Sequence, residues 1–422
     1  MEDTVYKYRL DNGLVVLYQK VPYAVSLSIG LWLKFGSRHE AETEKGCTHF
    51  VEHMLFKGTK NRTAKQQAMD IERVGGIANA ETSREYTNFY VTLAKPEIDI
   101  GMDFLSDLIF YPLFLESEIQ KETNVILEEF NGYEDSPEDY VYDLYYQNIF
   151  YKSPLGFDIL GSKDSIQSIN QSKIKNFYQS MFTTDRMMLS LSGNIEISDM
   201  EKLVNHYFGR EKRISNQTLQ IDKAEKAFTT NFFKRKLEQI IFLLGAEGIP
   251  RQFQKSVVLY LMTNILGGGM SSRLFQKIRE DLGLCYSISC FPSLYTNAGM
   301  VSISCATSKD RFFECLDAIL KEIRDLKKNG FTEEELQHSK TNQKGIMATG
   351  FELPEARMVS IAIQEMYYSK YYSFQDRMDT IDQVTLYDLN LMKDLVFGVK
   401  KLHFTGIGNL TKKEILQINT EI

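Results

Sequence analysis

Apolar and polar positions along the first third of the chain switch between two periods. The run Val25-Ser26-Leu27-Ser28-Ile29-Gly30-Leu31-Trp32-Leu33 alternates every second residue, the pattern of a strand with one face buried. Tyr6 to Gln19 reads as a hairpin, with Asn12-Gly13 as a type I′ turn between two apolar runs. Thr48 to Phe56 and Ala64 to Val74 carry apolar residues at helical spacing; Thr63 caps the second of these and Gly75-Gly76 stops it. A further strand, Thr87 to Leu93, precedes long helices from about Ile98 onward. Strands, hairpins and helices in this order predict an α+β fold, a sheet covered by helices.

The pattern is then written a second time. Asp164-Ser165-Ile166-Gln167-Ser168-Ile169, running on to Phe182, returns 215 residues later as Asp379-Thr380-Ile381-Asp382-Gln383-Val384, running on to Phe397. Each copy leads to a strand-like segment ending in Gly-Asn, at Gly193-Asn194 and Gly408-Asn409, again 215 apart. Ser136-Pro137-Glu138 and Leu353-Pro354-Glu355, 217 apart, open similar apolar helices. One near-constant spacing implies two homologous halves of about 200 residues each, and not a solenoid of short repeats. The expected domains are 1–212 and 225–422, joined through the polar, aperiodic stretch Phe208 to Thr218.

Composition narrows the function classes. With 422 residues and 43% hydrophobic content the chain can bury a large core, and a net charge of -7 gives no general attraction to nucleic acid or to an anionic membrane. No run of 18 apolar residues occurs, and the residues from Met1 to Leu10 lack the apolar core of a secretory signal. Five cysteines without C-x-x-C spacing fit a reducing, cytoplasmic setting. Gly267-Gly268-Gly269 is not followed by Gly-Lys-Ser/Thr and reads as a turn, not a phosphate loop; His206, His338 and His403 stand alone.

His49-Phe50-Val51-Glu52-His53 changes the picture. H-x-x-E-H arises by accident in roughly one chain of this length in 100 or fewer, so the motif is specific. On a helix His49, Glu52, His53 and Phe56 share one face, so both imidazoles can reach one ion. A catalytic zinc normally takes three protein ligands and keeps one open position. Along Glu118 to Tyr133, with Ile119 as origin, the apolar side holds Ile126, Phe130 and Tyr133; Glu122 and Glu129 fall roughly 60° and 80° from Ile119, at its edge, and Glu128 points away. Either Glu129 or Glu122 is the third ligand on these grounds, with the other supporting it. Such a metal acidifies water towards a pKa of roughly 7, and Glu52 is placed to take the proton and pass it to a leaving amine, which is peptide hydrolysis. Cys47, two residues before His49, reads as a structural thiol.

These residues resemble the inverted-motif zinc peptidases of the pitrilysin (insulinase-like) family, especially its short-subunit branch of mitochondrial processing peptidase and bacterial relatives. The resemblance runs through Lys34 to Glu40, His49 to Gly58 and Gly75 to Ala80, and covers essentially the whole chain. It implies two α/β sandwich-like halves of the LuxS/MPP-like metallohydrolase type. Glu122-Thr123-Asn124-Val125-Ile126-Leu127-Glu128-Glu129 carries the family's downstream pattern and favours Glu129 as ligand and Glu122 as its neighbour. Asn79, Ala80 and Glu81 resemble an edge strand to which an extended substrate adds. Arg279 and Tyr286 match an Arg/Tyr pair that reaches the active site from the opposing half of the assembly and holds substrate carbonyls.

The second half has no H-x-x-E-H; the matching stretch reads Leu261-Met262-Thr263-Asn264-Ile265-Leu266-Gly267-Gly268-Gly269, so one zinc per chain is expected. The resemblance implies a zinc endopeptidase acting on peptides or unfolded polypeptide, as a homodimer in which Arg279 and Tyr286 of one protomer serve the zinc of the other. A non-catalytic scaffold subunit and the catalytic half of an obligate heterodimer are the competing readings.

Overall fold

The computed structural model describes residues 4–215 and 218–422; Asn216 and Gln217 of the expected linker lie outside the described residues. The chain forms two compact units. The first comprises Met1–Asn131, Phe157–Asp222 and Thr349–Phe374, and the second Gly132–Gly156, Lys223–Ala348 and Gln375–Ile422. Among the described residues, no helix is long and apolar enough to cross a membrane.

The first unit is built on strands β1 (Val5–Arg9), β2 (Val15–Lys20), β3 (Ser26–Leu33), β4 (Ile77–Thr82), β5 (Thr87–Ala94) and β6 (Met187–Gly193), in the order β1-β2-β6-β3-β5-β4. The second carries β7 (Thr230–Lys234), β8 (Gln239–Glu247), β9 (Ser287–Leu294), β10 (Gly299–Ser308) and β11 (His403–Gly408), in the order β7-β11-β8-β10-β9. Each sheet has one parallel pair, β2 with β6 and β7 with β11. Remove β1 and the two orders are the same, so the duplication in sequence is a duplication of topology.

The units do not follow the linear halves 1–212 and 225–422, because each sheet recruits one helix from the other half of the chain. The Pro354–Tyr368 helix packs on β2, β3 and β6, while the Pro137–Ile149 helix packs on β8 and β11. These are the two helices that the 217-residue spacing paired. Their exchange explains why β3 is buried on both faces and not on one, as its alternation predicted. Leu27, Ile29, Leu31 and Leu33 face the main core, whereas Trp32 joins Met358, Ile361 and Ala362 on the other side. Small residues on that side let the helix approach: a Cβ on Gly30 would lie 2.4 Å from Met358 Sδ. Gly245 of β8, 215 residues on, is in the same position, and its Cβ would meet Tyr145 Oη at 1.5 Å.

Two local expectations also change. In the first hairpin only Gly13 has a positive φ, 93°, and Leu10 N–H and Gly13 N–H donate to Leu14 O and Leu10 O. The loop is therefore a three-residue connection closed by a glycine bulge, not a type I′ turn. Asn12 is instead drawn into the fold, its side-chain amide donating to Phe208 O and Glu211 O at 2.6 and 2.7 Å. The stretch read as a linker is tied down too, with Arg213 donating to Phe110 O at 2.6 Å.

Candidate metal centre

The motif lies on the Cys47–Leu55 helix of the first unit. Phe50, Val51, Met54 and Leu55 bury in the core and fix the roll of the helix, which leaves His49, Glu52 and His53 on the remaining face. Its start is determined by Gly46, at φ 81°, where a Cβ would lie 2.4 Å from Leu160 O. Glu40 completes the start: its buried carboxyl accepts from Gly46 N–H at 2.9 Å and Thr48 N–H at 2.7 Å. Burial pushes the Glu40 carboxyl up to about 7 against the pull of those donors. Cys47 is buried, and burial raises its thiol to about 12, an inert structural group.

The Glu116–Asp135 helix brings the carboxylates. Glu129 Oε2 lies 3.9 Å from His49 Nε2 and 3.5 Å from His53 Nε2. All three ligand atoms fall within 4.8 Å of one another, and among the described residues this is the one cluster able to hold a metal ion in that way. Tetrahedral zinc bonds of 2.0–2.2 Å separate neighbouring ligand atoms by roughly 3.4 Å, close to the spacing seen. Glu122 sits behind them, buried, accepting from His53 Nδ1 at 2.9 Å and from Lys57 Nζ at 2.7 Å. That bond leaves the Nε2 lone pair of His53 turned towards Glu129. Burial pushes Glu122 up, but the bonds from His53 and Lys57 outweigh it and hold the carboxyl below its ordinary range. Burial, with His53 adding to it, lowers His49 to about 3, so its imidazole is neutral and able to accept a metal ion.

Glu52 accepts a short hydrogen bond from the Thr82 hydroxyl of β4. Burial raises its pKa, opposed by the Thr82 bond. Asn79, Ala80 and Glu81 belong to β4, the sheet's terminal strand, paired only with β5. Ala80 N–H donates to the side-chain oxygen of Asn79 at 2.9 Å. Arg279 and Tyr286 belong to the second unit, where Phe275–Asp281 winds as a π-helix. The Arg279 guanidinium lies 4.5 Å from the Phe275 ring and 6.0 Å from that of Tyr286, and Tyr286 is 73% exposed.

Three partners had no role in the sequence reading. Lys57 had a usable signal, since it stands four residues after His53 on the same helical face. Thr82 and Glu40 had none, because both act across a chain reversal that no local spacing encodes.

The second unit holds a counterpart of this arrangement. His53-Met54-Leu55 matches Asn264-Ile265-Leu266 at the end of the Phe253–Gly267 helix, and Glu118-Ile119-Gln120 matches Glu335-Leu336-Gln337 at the start of the Glu333–Gly350 helix. His53 then corresponds to Asn264 and Glu122 to Ser339, and Ser339 Oγ donates to Asn264 Oδ1 at 2.8 Å. The support bond between the helices persists. The rest of the cluster does not: His49 becomes Tyr260, 40% exposed, and Glu129 becomes Ile346, 58% exposed.

Two family models match the chain, and the His49, His53 and Glu129 cluster lies within the first of them. Residues 15–163 match the family described as Insulinase (Peptidase family M16), and residues 168–343 the Peptidase M16 inactive domain. An uncharacterized zinc protease of Bacillus subtilis, YmxG, is 33% identical over 387 residues, 91% of this chain and 93% of that one. Another of Rickettsia felis is 33% identical over 92% of this chain and 94% of its own. Among solved structures, a protease from Helicobacter pylori superposes with a TM-score of 0.88 at 19% identity, over 96% of this chain and 99% of that one. A peptidase M16 inactive domain from Pseudomonas fluorescens reaches 0.90 at 18% identity, over 99% and 100%. With two sheets of matching strand order, a histidine–glutamate cluster and these relatives, the chain belongs to the insulinase family, peptidase family M16.

Proposed function

We propose that this chain is a zinc-dependent endopeptidase that hydrolyses peptides or unfolded polypeptide segments. The observation that carries the reading is the approach of His49 Nε2, His53 Nε2 and Glu129 Oε2 to one another, beside a carboxylate that is not needed as a ligand. A zinc ion held by these three groups would act as a Lewis acid, acidifying water towards a pKa of about 7 and polarising a peptide carbonyl. Glu52 takes the proton from the attacking water as oxygen bonds to the carbonyl carbon, and returns it to the amine nitrogen as the C–N bond breaks. Thr82 holds the Glu52 carboxylate in place. Glu122 orients His53.

An extended substrate adds to the free edge of β4, where its main chain displaces the Asn79 side chain from Ala80 N–H; Asn79, Ala80 and Glu81 line that edge. Arg279 and Tyr286 hold substrate carbonyls, and in a homodimer they serve the centre of the partner protomer. The zinc-loaded protein is expected to cleave a quenched peptide, and to lose that activity with a chelator and on Glu52→Gln while the variant keeps its metal. Full turnover by Glu52→Gln would refute the reading. Mixing Glu52→Gln with Arg279→Ala protein is expected to restore activity; no recovery would refute sharing between protomers.

A further inference from the structure

Three of the five cysteines gather in the second unit, away from any role assigned so far. Cys305 of β10 and Cys315 of the Phe312–Asn329 helix are buried, with their sulfurs 3.6 Å apart. Cys285, half-buried, lies within hydrogen-bonding reach of both thiols. The backbone holds it there: Thr307 Oγ1 donates to Leu284 O at 2.6 Å, and Tyr286 N–H donates to Ala306 O at 3.0 Å. Pinned on either side, Cys285 is held next to the strand that carries Cys305 while part of it meets solvent.

Their chemistry is divided. The neighbouring Cys305 and Cys315 thiols bring Cys285 well below the ordinary thiol range against the effect of its own burial, aided by the Arg279 guanidinium, whereas burial pushes Cys305 up. A partly exposed cysteine whose ionised form is favoured, beside two further thiols, is the arrangement of a redox sensor with its resolving group.

We propose that Cys285, Cys305 and Cys315 form a hydroperoxide-responsive thiol–disulfide site. The Cys285 sulfur attacks the terminal oxygen of the hydroperoxide, the O–O bond breaks, and an alcohol or water leaves with the proton while Cys285 becomes a sulfenic acid. Cys305 or Cys315 then attacks that sulfur, the S–O bond breaks, water leaves, and a disulfide forms. Two thiols lose two electrons and the hydroperoxide gains them. A disulfide needs its sulfurs at about 2.05 Å, so rotation about side-chain bonds closes the remaining gap. The bond would tie the segment bearing Tyr286 to β10 and the Phe312–Asn329 helix.

The test uses the full chain, treated with hydrogen peroxide, quenched with an alkylating agent and mapped by peptide mass spectrometry. It reads the thiols directly and does not depend on peptidase activity. The expected product is a peptide linking Cys285 to Cys305 or Cys315, reversed by dithiothreitol, with Cys47 and Cys290 still alkylated. Cys285→Ser is expected to slow oxidation of Cys305 and Cys315 roughly tenfold or more. Oxidation of Cys47 or Cys290 as fast as Cys285 would overturn the proposal. So would Cys285 passing to the sulfinic acid while Cys305 and Cys315 remain free.

Discussion

Gly245→Ala should destabilise the protein by about 2 kcal/mol, and Tyr145→Phe should relieve most of that loss. The alanine Cβ would lie 1.5 Å from Tyr145 Oη and 2.8 Å from Cζ, where the Pro137–Ile149 helix packs flush on β8. Contact between non-bonded heavy atoms needs about 3.5 Å, so the hydroxyl must retreat by about 2 Å. It cannot do so freely, because Tyr145 is fully buried and Ser302 donates to its oxygen at 3.3 Å. Overpacking of this kind costs about 1–3 kcal/mol, and a clash this deep belongs at the upper end. Against it stands a gain of about 0.4–1 kcal/mol from the stiffer unfolded chain.

Tyr145→Phe alone should cost about 1 kcal/mol for the lost hydrogen bond. In its presence the alanine meets Cζ at 2.8 Å, which needs to yield by about 0.7 Å, and Val301 O at 3.2 Å. The two substitutions should therefore couple by about 1–2 kcal/mol in a double-mutant cycle measured by urea denaturation of all four proteins. Additivity within about 0.5 kcal/mol, or an alanine variant as stable as the wild type, would refute the packing argument.

Gly30→Ala, the matching change in the first unit, should cost less than Gly245→Ala in the same assay. Its Cβ meets the Met358 thioether, the far end of a flexible side chain, at 2.4 Å and Trp32 Nε1 at 2.7 Å, both longer than the 1.5 Å approach at Gly245; an equal or larger cost would contradict this. For Glu40→Gln the prediction concerns pH. A carboxyl raised from 4.5 to about 7 by burial contributes stability that is full below pH 4.5 and lost as pH rises through 7. The advantage of wild type over the variant should therefore shrink by about 3 kcal/mol between pH 4.5 and 8, and a constant difference would refute it. Glu122→Gln should weaken zinc binding roughly 10–100-fold by competition with a chromophoric chelator, although His49, His53 and Glu129 are untouched. Unchanged affinity would mean that His53 needs no help from Glu122.

Most of the elements were legible because their signals are local. Alternation from Val25 to Leu33 and the helical spacing around His49 each report a backbone period, and the wheel that set Glu122 and Glu129 at the edge of an apolar face uses the same information. That face was shorter than expected, since Tyr133 is exposed. What escaped is what depends on a choice among distant partners. The two helices opened by Pro137 and Pro354 were expected, but an apolar helix face does not say which sheet it will cover, and here each covers the other half's. Serines 28, 190 and 192 and Gly30 held the hint, as small residues on a face that alternation alone assigns to solvent. Glu40 escaped for a related reason: a carboxyl that caps a helix from outside its own turn leaves no fixed spacing.

The contrast between the two units separates the work of framing a metal centre from the work of binding the metal. His53 with Glu122, and Asn264 with Ser339, join equivalent helices through equivalent hydrogen bonds, one with a carboxylate as acceptor and one between neutral groups. Since the neutral pair survives where Tyr260 and Ile346 replace His49 and Glu129, joining the helices has a structural value of its own, worth about 1 kcal/mol for a partly buried bond of this kind. The ionised form in the first unit is then the costly version. Burying Glu122 requires Lys57 and His53 to offset its desolvation, and such an arrangement is weak evidence for stability by itself. Its return is a His53 ring whose Nε2 is turned towards Glu129. Lys57, whose counterpart by the same alignment is Gly268, marks the same division: the cation is present where the carboxylate is, and absent where a serine suffices.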